Sequence, residues 1–224
     1  MNKLDRAGAS LRESILSVLS HQLHPRPLLL CLPVASFGSE AYRNGEPGIE
    51  GIVDIVKWRA FKWNISDGSS VPAESSVQMA PPEELLVQDH PLLPALVQAR
   101  TSMLDLLSVH SPELMEELLS MDAPDPYLSF PSQSIVPHLR ALTARKEILP
   151  VFCGAALSHI GTKNLMDYIG ELLASPVDVG NQSPVAKRRD FVNILAWKVG
   201  WDKQKGWMTF VRVYAGKLCI HCVL

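Results

Sequence analysis

Two short segments of this chain carry residues suited to chemistry, and they lie far apart. The first is Asn2-Lys3-Leu4-Asp5, in which a carboxylate follows an amide by three positions. The Asp5 carboxylate can accept hydrogen bonds from both the ring N–H and the exocyclic amine of guanine. Adenine lacks that amine and presents a lone pair at the neighbouring ring position, so the same side chain selects one base and rejects the other. Each charge-assisted bond of this kind is worth about 1.5–3 kcal/mol, and a buried carboxylate left unpaired costs at least as much. Differences of that size discriminate strongly between bases.

A base held on one edge needs a second wall. Cys153-Gly154-Ala155-Ala156 follows the apolar run Ile148-Leu149-Pro150-Val151-Phe152 and precedes a helical pattern. Its small residues let the backbone approach a ring closely, and the Ala156 N–H can donate to the O6 atom of guanine.

These segments must be positioned by ordinary elements. Residues 8–23 read as an amphipathic helix, with Leu11, Ile15, Val18 and Leu19 at helical spacing and a capping box of Ser10 and Glu13. Leu28 to Val34 is a buried-strand pattern bounded by prolines. After a Gly-rich turn from Gly38 to Gly51, Ile52 to Trp58 and Ala60 to Trp63 predict a hairpin. Residues 66–82 read as a loop. Helices are expected from about Leu93 to Val109, from Ser111-Pro112 onward with serine as N-cap, and from Gln133 to Lys146 around Pro137; residues 122–131 form a loop. Thr162 is placed to cap a helix bearing Leu165, Ile169, Leu172 and Leu173. Val177 to Lys187 reads as a linker. Phe191 to Trp197 and Met208 to Tyr214 are β-rich and flank a turn at Gly200 to Lys203.

Composition sets broad limits. The 224 residues are 47% hydrophobic and 20% charged, an ordinary globular balance, and the formal charge of −2 offers no chain-wide nucleic-acid footprint. Lys187-Arg188-Arg189 is expected to be solvated. No apolar run reaches membrane-spanning length. Cys31 and Cys153 sit in apolar runs and are expected to be buried and reduced, while Cys219-Ile220-His221-Cys222 has no second half and reads as an apolar tail rather than a zinc site. The five tryptophans are expected to pack rather than stack on bases, and the Glu113, Glu116 and Glu117 group to be a solvated helix face. The histidines show no ligand spacing, so no catalytic residue and no metal ligand is assigned.

The order of the segments is more specific than any one of them. N-K-x-D at Asn2 to Asp5 precedes an amphipathic helix. Then come Leu32-Pro33-Val34, Gly51-Ile52-Val53-Asp54-Ile55-Val56, Ala60-Phe61-Lys62-Trp63, Glu113-Leu114-Met115-Glu116, Pro150 to Ala156, Leu173 to Asp178, and Phe210 to Leu218. From residue 2 to about residue 218 this series resembles the translational GTPases of the elongation factor G class, and within it the mitochondrial ribosome-releasing paralogue more than the translocases.

The resemblance implies an α/β fold. Residues 1–26 and 148–183 would be the C-terminal half of a P-loop-type GTPase domain, 27–147 an α+β insert, and 184–224 the first strands of a β-barrel. It implies a GTP-binding set of Asn2, Lys3, Asp5, Ala155 and Ala156. Asp5 would hold the guanine edge, Asn2 brace the loop near N7, Lys3 lie along the base, and the two alanines form the opposite wall. Many relatives carry serine where Ala155 stands, so one hydroxyl contact would be missing here. The implied partners are the mitochondrial ribosome and ribosome recycling factor, with no membrane contact.

The chain also departs from that pattern. No G-x-x-x-x-G-K-[ST] phosphate loop is present, Gly216-Lys217 does not form one, and Asp5-Arg6-Ala7-Gly8 matches D-x-x-G only by overlap with the base-reading loop. Mg2+ ligands are therefore expected only in a longer protein, and this chain is expected to be a fragment that does not hydrolyse GTP alone. The alternatives are a non-catalytic ribosome-binding module and a truncated gene-model product.

Overall fold

A computed structural model of the chain describes residues 1–44, 48–63, 77–175 and 192–218. It is mixed α/β and divides into two compact units, Met1–Leu173 and Ala174–Leu224. The predicted linker at residues 177–187, the basic cluster at its end and the apolar tail at 219–224 fall outside the described residues.

The first unit begins with helix α1 (Leu11–Ser20), whose start is fixed as the sequence predicts. Ser10 has extended backbone, and its side chain accepts the Glu13 N–H at 3.2 Å. The Leu28–Val34 run, expected as one strand, is two. Strand β1 (Pro27–Leu29) pairs in parallel with β6 (Leu149–Val151), while β2 (Cys31–Val34) enters a four-stranded antiparallel sheet. The switch is made at Leu30, which is fully buried. Its N–H donates to Val151 O and its carbonyl accepts from Ile55 N, each at 3.0 Å, so one residue serves both sheets. Pro33 fits in β2 because that strand is the edge of the sheet as described, where a missing N–H costs little.

Strand β3 (Gly51–Asp54) and β4 (Arg59–Trp63) form the expected hairpin, but β3 stops at Asp54 rather than continuing to Trp58. The cause is the Asp54 side chain, which accepts the Val56 and Lys57 N–H groups at 2.9 and 2.8 Å and turns the chain. A second correction concerns residues 66–82. Strand β5 (Val77–Ala80) lies within that expected loop and pairs with β4, with Val77 opposite Trp63 and Met79 opposite Phe61. Its two-residue alternation is too short to stand out beside serines and prolines.

The remaining helices are α2 (Ser39–Arg43), α3 (Pro82–Leu85), α4 (Leu92–His110), α5 (Pro112–Ser120), α6 (Pro126–Ser129), α7 (Ser132–Ala144) and α8 (Thr162–Leu172). Ser111 caps α5 as predicted, accepting the Leu114 N–H. Thr162 does not cap α8. It is the first helical residue, and Gly161 (φ +77°) holds the cap position. The core joins Met103, Leu104 and Leu107 of α4, Ile135 and Leu139 of α7, Tyr168 and Leu172 of α8, and the Ile55-Val56 turn. The apolar seams of three helices thus close over the end of the β3–β4 hairpin.

The described part of the second unit is a hairpin of β7 (Asn193–Asp202) and β8 (Gly206–Ala215). Its turn falls at residues 203–205, not at Gly200 to Lys203, because the Asp202 carboxylate accepts the Gln204 and Lys205 N–H groups, both at 2.9 Å. The tryptophans, expected to pack rather than stack on bases, differ in burial. Trp63 is buried, but Trp201 and Trp207 are exposed and meet only edge to face across the hairpin, their centroids 5.4 Å apart. Trp197 is also exposed.

Candidate nucleotide-base site

The chain's first residues lie alongside the segment that leaves β6. Met1 N donates to Phe152 O at 2.7 Å, Gly154 N to Met1 O at 3.2 Å, and Leu4 N to Gly154 O at 3.3 Å. The contact begins as a parallel ladder does, but its register breaks at the left-handed Lys3, so the third bond comes from Leu4. It sets Asn2 beside Ala156, and the Ala156 N–H donates to Asn2 Oδ1 at 3.0 Å. The same oxygen accepts Lys3 N at 2.7 Å, which helps hold Lys3 in its left-handed backbone conformation (φ +65°).

The far wall is equally tied. Ala155 and Ile160 exchange two backbone bonds of 3.0 Å around a short 3-10 turn, Ala156–Ser158. Gly154 is required there, since a Cβ at that position would collide with the Ile160 carbonyl. Beneath the loop Cys31 and Cys153 are buried with their sulfurs 3.3 Å apart, as small packed residues. The hydrogen bond to Cys31, followed by burial, pushes the Cys153 thiol well above its ordinary range, so it stays protonated.

A cleft of about 400 Å3 opens between the two segments, its walls including Met1, Asn2, Gly154, Ala155, Ala156 and Thr162. The structure therefore brings together Asn2, Ala155 and Ala156 of the five residues singled out in the sequence. Lys3 and Asp5 follow directly but are solvent-exposed and do not line the cleft. The Ala156 N–H, expected to meet guanine O6, is held by Asn2, so a base would have to share that donor or displace the amide oxygen.

Sequence reasoning missed the polar centre of the unit. Asp54, nearly fully buried, accepts the Tyr168 hydroxyl at 2.9 Å and the Asn164 side-chain amide at 3.3 Å in addition to its two backbone donors. Burial raises its pKa, while the Lys57 N–H and the Tyr168 hydroxyl oppose that rise. Lys57 pairs with Glu171 at 2.7 Å, which ties the same turn to α8 a second time. Arg100, 2% exposed, reaches four carbonyls: Ile55 at 2.5 Å, Val56 at 2.8 Å, Tyr127 at 2.8 Å and Phe130 at 2.6 Å. The signals were present as single charges inside apolar patterns, Asp54 within Ile52 to Val56 and Arg100 between Leu96 and Leu104. Among the described residues no cluster of His, Cys, Asp or Glu is suited to hold a metal ion. No described helix is long and apolar enough to cross a membrane.

No protein-family model matches the chain. Curated relatives do. The chain is 29% identical over 238 aligned positions to a protein of Candida albicans named mitochondrial ribosome-releasing factor 2, covering 97% of this chain and 28% of that protein. The Yarrowia lipolytica protein of the same name is 30% identical over 246 positions, covering 100% of the chain and 28% of the relative. The Pongo abelii protein, also so named, is 27% identical, with 99% and 27% covered. A crystal structure of a Thermus thermophilus protein matches the fold with a TM-score of 0.63 at 19% identity, over 97% of this chain and 27% of that one. The chain thus spans little more than a quarter of the length of these relatives, and the three curated ones are all named as mitochondrial. The resemblance read from the residues is the one the relatives return: over nearly its whole length, this chain is similar to a segment of mitochondrial ribosome-releasing factor 2.

Proposed function

We propose that this chain supplies the base-reading part of a guanine-nucleotide site in a mitochondrial translational GTPase, one that couples GTP to ribosome release and recycling. The observation that carries the reading is the 3.0 Å bond from Ala156 N to Asn2 Oδ1, which joins two segments 154 positions apart beside a cleft with small-residue walls. In this reading Asn2, Ala155 and Ala156 hold the base from two sides. Lys3 and Asp5, exposed on the adjoining turn, close over its edge when it binds. Residues 1–26 and 148–183 belong to the GTPase domain, 27–147 to the insert, and 184–224 to a β-barrel. GTP is the nucleotide, and the ribosome and ribosome recycling factor are the partners. The residues present meet the base, while the phosphates and their Mg2+ find no phosphate loop in this sequence. Base recognition is accordingly the step assigned to this chain.

The ribosomal part of the reading is tested by sedimenting the chain with mitochondrial ribosomal subunits, with and without GTP. Co-sedimentation supports it. A chain that stays in the supernatant under both conditions contradicts the assignment of the ribosome as partner.

A further inference from the structure

The second cleft of the first unit, about 980 Å3, lies between the β3–β4–β5 sheet and helix α8. Its two sides are chemically different. Along β4 and β5, Phe61, Trp63 and Met79 form an apolar, aromatic wall, with Phe61 opposite Met79 in the strand register. Along α8, Lys163 and Asn164 form a polar one, with the exposed carboxylate of Asp167 one turn further along the helix. The closed end is rigid, because Tyr168 and Asn164 bond to Asp54 and Lys57 pairs with Glu171, so the sheet and the helix are pinned where they meet.

Charge distinguishes the open end. Arg59 on the sheet side and Lys163 on the helix side are exposed, and neither has a carboxylate partner among the described residues. Asp54, in contrast, is saturated by its own donors. Volume in this range, apolar walls and a few convergent polar groups are the attributes of small-molecule sites. We propose that this cleft binds an anionic ligand with a flat aromatic body. The ring lies against Phe61 and Met79, and the anionic group lies between Arg59 and Lys163. This cleft adjoins the base-reading one at Thr162, which lines both, but none of the residues assigned to the ligand here belongs to that site.

The test uses the full chain and 8-anilinonaphthalene-1-sulfonate, followed by backbone amide NMR, with uncharged N-phenyl-1-naphthylamine as the comparison. The sulfonate should saturably shift the amides of Phe61, Met79, Lys163 and Asn164. The double substitution Arg59→Glu and Lys163→Glu changes two exposed positions and should weaken sulfonate binding about tenfold, as expected for reversing two surface charges. The uncharged probe should change by less than about twofold. Shifts confined to the exposed β7–β8 hairpin, or equal weakening of both probes, would overturn the proposal.

Discussion

The Asn2 side-chain oxygen accepts the Ala156 N–H at 3.0 Å across a sequence separation of 154 residues. That contact links the cleft's two walls through one amide side chain. Because Asn2 Oδ1 also takes the Lys3 N–H, it sets the conformation of the loop that carries Asp5.

Removing the amide should loosen the loop without unfolding the unit. Asn2→Ala deletes two exposed hydrogen bonds, each worth about 0.5–1.5 kcal/mol. Hydrogen exchange at the Ala156 amide should quicken about tenfold for a loss near 1.4 kcal/mol. The urea midpoint should stay close to that of the wild type. Unchanged exchange at Ala156 would show that the contact does not hold the loop.

Arg100 should matter far more to stability. Its guanidinium serves four carbonyls in a buried setting, and burial lowers its pKa while Asp54 and Tyr168 oppose that shift. Arg100→Met would leave those carbonyls without their donor and unpair the charge balance around Asp54, a loss of about 3–5 kcal/mol. Arg100→Lys should recover little, since an ammonium cannot span the fork geometry. Urea denaturation followed by circular dichroism measures both, and a loss below about 1 kcal/mol for Arg100→Met would contradict the network's role.

Asp54 predicts the sign of a pH effect. Burial raises its folded pKa above the unfolded value, so the folded state holds the proton more tightly. The stabilisation this gives is present below the ordinary carboxylate range and is lost as pH rises through that range to the raised folded value. The stability of the wild type minus that of Asp54→Asn should therefore fall as pH increases across this window. A difference that grows with pH would mean that the Tyr168 and backbone donors outweigh burial.

Much of this architecture could be read from residue patterns. Ser10 and Ser111 announced their helices because N-capping is local chemistry, written within three residues. The pairing of the first residues with Gly154 to Ala156 was legible only through the resemblance, since no local rule connects positions so far apart. What escaped was tertiary. The change of sheet at Leu30 depends on Ile55 and Val151 meeting one residue from opposite sides. The early end of β3 depends on Asp54 turning its side chain onto its own backbone. In the site itself, Asn2, Ala155 and Ala156 lie together at one cleft, while Lys3 and Asp5 do not line it. The capture of the Ala156 donor by Asn2 was not legible, because it depends on how closely two distant segments approach.

On the proposed function, Asp5 reads the edge of a guanine held beside Asn2 and Ala156. Amide NMR titrations of the wild type and Asp5→Asn with guanosine and xanthosine monophosphates test it most directly. Xanthine carries a carbonyl where guanine carries the amine, so exchanging a carboxylate for an amide should reverse the order of affinity. The wild type should favour guanosine monophosphate, with shifts at Asn2, Ala155 and Ala156, and Asp5→Asn should favour xanthosine monophosphate at the same amides. The same order of affinity in both proteins would contradict the account.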